Sequence, residues 1–307
     1  MKLDSKQTAF GRHETFPLRY AWLTKGFDAV ERQPDLFRHA DQAMVRLGVG
    51  RNMVSAIQYW LQAARLVSFA DGEGTPTALG QALLGADADP YLEDQATLWI
   101  LHWLIASNAA LATGFFWFFN RFAMPRFKDD EVLSGLTDFV RHELKLDRSQ
   151  STLKSDTSTL LRMYAPGFDP ADSRSRKQEE DHLDTLMSQL GLVQQLGRSR
   201  QYQSHRGSRP FLPPVALHVA LSERFREAPD PAIPVRDLLY CDDLHAAPGA
   251  VFRLSEEGLM AGLNAVMQRW PGHYELRDTA GIHQLYRLGE PVDTLDILRG
   301  YYGRMAA

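Results

Sequence analysis

Cysteine is nearly absent from the sequence: Cys241 is the single one among 307 residues. One cysteine cannot form an internal disulfide or supply a multi-cysteine zinc site, which is typical of a protein of a reducing compartment. The amino-terminal segment MKLDSKQTAF lacks the apolar core and small-residue cleavage site of a secretory signal. We therefore expect a cytoplasmic protein.

An excess of positive charge is also missing, since the formal net charge is -4 at pH 7. No global positive field attracts nucleic acid to such a chain. Any contact with phosphate must come from local patches of arginine and lysine. Binding through such patches should depend strongly on salt concentration.

The motifs of common enzyme classes are lacking as well. The ten histidines are scattered, without an HExxH motif or a His/Asp cluster at metal-ligand spacing. There is no phosphate-binding loop, dinucleotide-binding fingerprint or nucleophile elbow. We therefore predict a non-enzymatic protein that needs no cofactor and no metal.

One catalytic alternative remains, a metal-dependent nuclease. Asp130, Glu143 and Lys145 have the outline of an Asp…Glu-x-Lys site, in which two carboxylates hold a divalent metal and the lysine helps to activate water. The segment is predicted to be helical, however, and on a helix Glu143 and Lys145 point to different faces. This alternative ranks last.

One long apolar stretch, residues 98–119, has about the length of a membrane span. His102, Ser107 and Asn108 interrupt it, and Arg121 follows it closely. These polar residues disfavour a membrane span. The stretch instead predicts the central core helix of an all-helical body, and no membrane association.

The fold class that we predict is mainly α, with winged helix-turn-helix modules and small β-wings flanking a helical central domain. With 44% hydrophobic residues, the chain can bury a large core. We place an N-terminal winged helix-turn-helix at residues 1–88 and a helical core domain at 89–170. Two winged-helix-like units follow, at 171–228 and 229–307.

The pattern of the first module is the clearest. Apolar residues at helical spacing predict one helix over 35–47 and a second over 51–65, separated by the turn Gly48-Val49-Gly50. Residues 66–69 then predict a strand, followed by a tight turn and a returning strand. Two helices followed by a β-hairpin are typical of a winged helix.

The later units rest on shorter signals. The second unit is predicted from a helix over 182–190 and a wing strand at 201–204. A charged segment at 172–184 leads into this helix. In the third unit, Ser255 caps a helix that reaches about Trp270. Residues 273–276 and 282–288 are predicted to pair as a hairpin.

The second helix of the first module carries our main candidate site. Its polar side chains offer donors and acceptors that match base edges and phosphates. An ordinary solvated helix face, or a protein-binding one, is the alternative, and Asp71 and Glu73 in the first wing should repel phosphate. The candidate DNA-binding residues are Arg51, Asn52, Ser55, Gln58, Tyr59 and Arg65.

Two further segments could bind phosphate. The first is a basic cluster without acidic residues, which could equally be an exposed hairpin that is basic only for solubility; it contains Arg198, Arg200, Arg206 and Arg209. The second is Arg12-His13-Glu14 before the first helix. These three residues could form a ligand or phosphate pocket, or could simply cap and pack the amino-terminal arm.

Four segments carry a resemblance to a known family: FGRHETFPLRY, LGVGRNMVSAIQYWL, DPYLEDQATLWILHW and DTAGIHQLYRL. They resemble the bacterial domain-of-unknown-function family numbered 4007, over nearly the whole chain. The resemblance implies a setting in DNA phosphorothioation and related antiphage defence gene clusters. It implies partner enzymes of the phosphoadenosine-phosphosulfate-reductase-like class, and no catalytic residues.

Together these observations favour a DNA-binding or target-recognition component that acts on double-stranded DNA. A scaffold that holds sulfur-transfer enzymes together is the first alternative, and a transcriptional regulator of the defence operon is the second. A homodimer is a further expectation, because winged-helix proteins often read two half-sites.

Overall fold

The computed structural model describes residues 3–167, 185–197, 199–242, 244–279 and 281–303. These residues form mainly helices with a few small antiparallel sheets, which agrees with the predicted mainly α class. The α-helices are α1 (Tyr20–Arg32), α2 (Ala40–Leu47), α3 (Arg51–Ala63), α4 (Ala78–Leu84), α5 (Gln95–Ala106), α6 (Thr113–Asn120), α7 (Asp129–Asp138), α8 (Gln150–Tyr164), α9 (Pro214–Glu227), α10 (Val235–Leu239), α11 (Pro248–Val251), α12 (Glu256–Arg269) and α13 (Thr294–Tyr302). The strands are β1 (Val67–Ala70), β2 (Glu73–Pro76), β3 (Arg126–Lys128), β4 (Gln194–Gln195), β5 (Gln201–Gln203), β6 (Ala232–Pro234), β7 (Tyr274–Thr279) and β8 (Ile282–Arg287).

In the first region (α1 to α4), two helices precede a hairpin as the sequence predicts. The first of them begins at Ala40 and not at residue 35, because Leu36–Arg38 forms a separate 3₁₀ turn. Gly48 ends α2 in the left-handed conformation, at φ 69°, which glycine adopts without steric cost. Helix α3 begins three residues later, and β1 and β2 then pair antiparallel with Ser68 opposite Thr75. The Gly74 N–H also donates to the Pro34 carbonyl at 2.8 Å, so the segment before α2 lies beside the hairpin.

The second sheet has the order β3-β5-β4, with both neighbours antiparallel to β5. Phe127 of β3 lies opposite Tyr202 of β5. The sequence predicts a helical segment at 89–170, yet β3 lies inside it and completes this sheet. Three residues are too short a run for the period-two alternation that reveals a strand.

The third sheet repeats that order as β6-β8-β7. The predicted hairpin between residues 273–276 and 282–288 is present, with Leu276 opposite Leu285. Ser255 caps α12 as predicted, because its hydroxyl accepts the Gly258 N–H at 3.1 Å. The second region (β3 to β5) and the third region (β6 to α13) therefore share one topology: a strand, then helices, then a hairpin whose last strand pairs with the first strand.

The long apolar stretch forms two helices, α5 and α6, where the sequence predicts one. Asn108 makes the break, because its side chain accepts the Leu111 N–H at 3.1 Å and donates to the Ala63 carbonyl at 2.9 Å. Both helices are buried on all sides. Among the described residues, no helix has the length and apolar character needed to cross a membrane.

Polar groups inside this core are hydrogen-bonded. His102 of α5 lies 2.7 Å from the Tyr164 hydroxyl and 2.9 Å from the Val251 carbonyl, and burial lowers the pKa of its ring to about 3. Arg253 is also buried and donates to the carbonyls of Phe118 and Phe119 at the end of α6. Such carbonyls lack partners within their own helix, so Arg253 satisfies them.

Candidate nucleic-acid interface

The polar face of α3 is accessible over most of its length. Arg51, Asn52 and Ser55 are exposed, and Gln58 is half-buried one turn further along the same face. Arg51 contacts Asp41 at 2.9 Å, but both side chains are more than half exposed. Surface ion pairs of this kind are weak and are screened by salt, so a phosphate can compete for Arg51.

In contrast to these exposed residues, Tyr59 is held in place by contacts with its neighbours. Its hydroxyl donates to the Leu111 carbonyl at 2.9 Å, and its ring packs edge-on against Trp60. Burial, and then the nearby Asp156 carboxylate, raise the pKa of the phenol, which is therefore neutral. Tyr59 thus forms a fixed part of the wall beside the polar face.

Arg65 lies outside α3, which ends at Ala63, and adopts a left-handed conformation at φ 60°. Its guanidinium donates to both carboxylate oxygens of Glu223 on α9, at 3.1 Å and 3.0 Å. Glu223 also accepts the indole N–H of Trp103 at 2.8 Å. The structure therefore separates Arg65 from the exposed residues of α3 and joins it to the core.

The amino-terminal arm, residues 9–16, lies against three helices. The Ala9 N–H donates to the Thr113 hydroxyl of α6, and the Gly11 N–H donates to Asp156 of α8, both at 3.0 Å. The indole N–H of Trp60 on α3 donates to the Phe16 carbonyl at 3.1 Å. These bonds hold the arm beside the polar face of α3.

His13 anchors the arm and is only 1% exposed. Its Nδ1 accepts the Thr15 N–H at 3.2 Å, which leaves the proton on Nε2 to donate to Asp156 Oδ1 at 2.6 Å. The ring packs parallel to Trp60. His13 is sealed inside the protein, whereas its neighbours Arg12 and Glu14 are exposed.

The arm and α3 enclose a cavity of about 670 Å³. It brings together residues that the sequence places in two separate candidate sites: Arg12 and Glu14 from the arm, and Ser55, Gln58 and Tyr59 from α3. Lys6 and Gln62 line it too, and sequence reasoning did not select either one. Gln62 continues the helical spacing of Ser55 and Gln58, so its position was a usable signal.

The basic cluster is divided by the structure. Arg200 is exposed, with a side chain 85% accessible, and lies 3.5 Å from Asp129. Arg206 donates to the Leu239 carbonyl at 2.9 Å and stacks on Tyr240, and burial lowers its pKa. Arg209 donates to the His205 carbonyl at 2.7 Å. Arg198 lies outside the described residues.

The acidic residues of the β1–β2 hairpin have a cationic neighbour. Arg38 lies 3.0 Å from Glu73, and its Nε donates to the Asp71 carbonyl. This contact offsets part of the negative charge that the sequence places on the first wing. The hairpin still offers no excess of positive charge to a phosphate.

The residues of the nuclease alternative do not meet. Asp130 lies in the first turn of α7, and Glu143 lies at the end of the helical segment that continues it. Thirteen residues at about 1.5 Å each separate the two by about 20 Å along the axis. Glu143 instead pairs with Arg121. Within the described ranges, no three His, Cys, Asp or Glu side chains are grouped to hold a metal ion.

Comparisons with known proteins cover nearly the whole chain. A crystal structure of magnesium ion-bound SspB is similar with a TM-score of 0.85 and 28% identity, over 99% of this chain and 91% of that one. A second SspB crystal structure has a TM-score of 0.83 and 28% identity, over 97% and 89%. No curated protein matches. The model of a family described as protein of unknown function (DUF4007) matches residues 10–302; the chain belongs to this family.

Proposed function

We propose that the protein is a DNA-binding component of a bacterial DNA phosphorothioation or related antiphage defence system. The observation that carries this proposal is the exposed polar face of α3, which continues into a cavity lined by Lys6 and Arg12. Arginine, asparagine and glutamine on a helix can read base edges, and cations on an adjoining arm can bind the backbone. α3 would enter the major groove while the arm contacts phosphate.

The topology supports assigning winged-helix units. In each of the three regions, helices precede a β-hairpin, and α3 and α12 lie directly before the hairpins of the first and third regions. In a winged helix the helix at this position is the recognition helix. Among the described residues, the first region has no strand that corresponds to β3 or β6. The Pro34 carbonyl takes that place beside the hairpin, because it accepts a hydrogen bond from the Gly74 N–H.

The family and the likeness to SspB support the defence setting. We propose that enzymes of the phosphoadenosine-phosphosulfate-reductase-like class carry out the modification while this chain supplies contact with DNA. We assign it no reaction of its own. Nicking of a plasmid in magnesium buffer that persists after purification, and is lost in Glu143→Ala, would contradict this assignment.

Binding of duplex DNA tests the proposal directly. The variant Arg51→Ala/Asn52→Ala should bind a fluorescent duplex about tenfold more weakly than the wild type, with a salt slope reduced by about one. Arg299→Ala is the matched control, because Arg299 is an exposed arginine on α13. Fluorescence anisotropy at several salt concentrations measures both. Equal binding by both variants and the wild type would refute an α3 interface.

A protein scaffold is the second candidate function. Phe211 is 80% exposed and lines a cavity of about 440 Å³ together with Trp99. Exposed aromatic residues beside a pocket are typical anchors of protein interfaces. Tight co-purification of partner enzymes that is lost in Phe211→Ser, with no duplex affinity in the wild type, would favour this candidate.

A further inference from the structure

A second and larger cavity lies in the second region. Its volume is about 980 Å³, and it lies between α8, the beginning of α7 and the β4–β5 hairpin. The cavity is large enough for a small organic ligand.

Cations predominate in its lining. Lys128 and Lys154 are exposed, and no described carboxylate forms an ion pair with either of them. Asp129 is engaged by Arg200 at 3.5 Å, which leaves Asp130 as the other described acid of the lining. The unmatched positive charge favours an anionic ligand.

An aromatic ring forms part of the same wall. Tyr202 is half-buried, and its ring stacks nearly parallel on Phe127, at 6.0 Å and 15° between planes. Phe127 is buried and holds the ring from behind. Gln201 and Ser158 also line the cavity. A supported aromatic ring beside cations is the arrangement that binds a base together with its phosphate.

We propose that this cavity binds one nucleotide of a DNA strand, with phosphates against Lys128 and Lys154 and the base against Tyr202. This inference rests on the proposed function, because the strand belongs to the DNA that the protein is proposed to bind. A free nucleotide carries the same chemistry. The two sources are distinguished by whether the affinity increases from a mononucleotide to an oligonucleotide.

The experiment compares a fluorescent single-stranded oligonucleotide with 2′-deoxyadenosine 5′-monophosphate as competitor. Lys128→Ala/Lys154→Ala should weaken strand binding about tenfold and reduce the salt slope by about 1.4, since each strand phosphate contributes about 0.7. Tyr202→Leu should weaken binding about tenfold with an unchanged slope, and Tyr202→Phe should keep the wild-type affinity. Lys25→Ala/Arg299→Ala, at an exposed lysine on α1 and an exposed arginine on α13, is the control that removes the same two positive charges, and circular dichroism melting checks folding.

Unchanged strand binding in both the lysine and the Tyr202 variants, while the α3 variant loses duplex binding, would overturn this inference and leave the proposed function standing. Displacement of the strand by the mononucleotide at equal concentration would overturn the assignment to a strand. If the α3 variant loses duplex binding but keeps strand binding, and the cavity variants lose strand binding but keep duplex binding, both proposals are supported separately.

Discussion

Arg65 and Glu223 show how a charged residue that resembles a DNA contact can belong to the core. Both oxygens of the Glu223 carboxylate accept bonds from Arg65, and one also accepts from Trp103. Burial acts to raise the pKa of Glu223, but the Arg65 charge and these bonds outweigh it, and the net shift is downward. The carboxylate is therefore ionised in the folded protein near neutral pH.

Removing one member of this pair should destabilise the protein. Arg65→Ala leaves a buried carboxylate without its partner, and we expect a loss of about 2–3 kcal/mol in the free energy of unfolding at pH 7. Urea denaturation measures it.

Glu223 also makes the stability of the protein depend on pH. Because its pKa is lower in the folded than in the unfolded protein, its contribution to the free energy of unfolding is fully present above the unfolded pKa. This contribution is lost as the pH falls through the folded pKa. Glu223→Gln should therefore have a shallower loss of stability below about pH 4.5; an unchanged pH profile would refute this role.

Arg200 and Arg206 form a matched pair for a second prediction. Arg206 satisfies the Leu239 carbonyl and covers Tyr240, whereas Arg200 is exposed on the hairpin. Arg206→Ala should lower the free energy of unfolding by about 1–3 kcal/mol, and Arg200→Ala by less than about 0.5 kcal/mol. In DNA-binding assays Arg200→Ala should have the larger effect on salt dependence. The reverse pattern in thermal melts would contradict the structure.

These arginines also mark the limit of prediction at the residue scale. The sequence shows that Arg200 and Arg206 lie in one basic run, but not that Arg206 donates to the Leu239 carbonyl, 33 positions later in the chain. The same holds for His13, whose partner Asp156 is 143 positions away. Residue type predicts what a side chain can bind, whereas its partner depends on tertiary packing.

Among the elements, helix α4 shows how closely the first hairpin is packed. A Cβ atom at Gly80 would lie 2.2 Å from the backbone oxygen of Leu66 and 2.7 Å from the Phe27 ring. Gly80→Ala must therefore displace α4 from the hairpin, and we expect a loss of about 1–3 kcal/mol. Gly50→Ala is the control, because nothing lies within 4 Å of its Cβ position. Equal melting temperatures for the two variants would contradict the close packing.

Elements with a long periodic pattern or a clear turn signal were predictable. Strand β3 and the break between α5 and α6 were not. Helix α3 begins at its predicted start because its apolar spacing continues over several turns. The break between α5 and α6 was missed, since a uniformly apolar stretch gives no period and the turn depends on one side chain, Asn108. Strand β3 was missed because its identity depends on pairing with β5.

At the scale of the whole molecule, acid should unfold the protein through buried histidines. Burial lowers the pKa of His102 and His218 to about 3. Their folded pKa values lie below the unfolded value, so the unfolded chain binds more protons, and stability is lost as the pH falls from about 6.5 towards 3. Each histidine contributes a slope of about 1.4 kcal/mol per pH unit within that window.

His218→Phe tests this expectation, because aromatic rings surround the imidazole and its Nδ1 has no hydrogen-bond partner. The variant should lose less stability than the wild type between pH 7 and pH 5, as measured by urea midpoints. His205→Phe, at an exposed position, should follow the wild type. An equal loss in all three proteins would show that His218 does not govern acid sensitivity.

The contact of Arg65 with Glu223 also has a geometric consequence. It joins the end of α3 to α9, and α9 packs against α12 and α13 of the third region. In the proposed function, α3 and α12 both hold the position of a recognition helix, and this chain of contacts fixes the distance between them. A duplex with two recognised segments would then have to present them in fixed phase, and would tolerate a change in spacing only by a whole helical turn of about 10 base pairs.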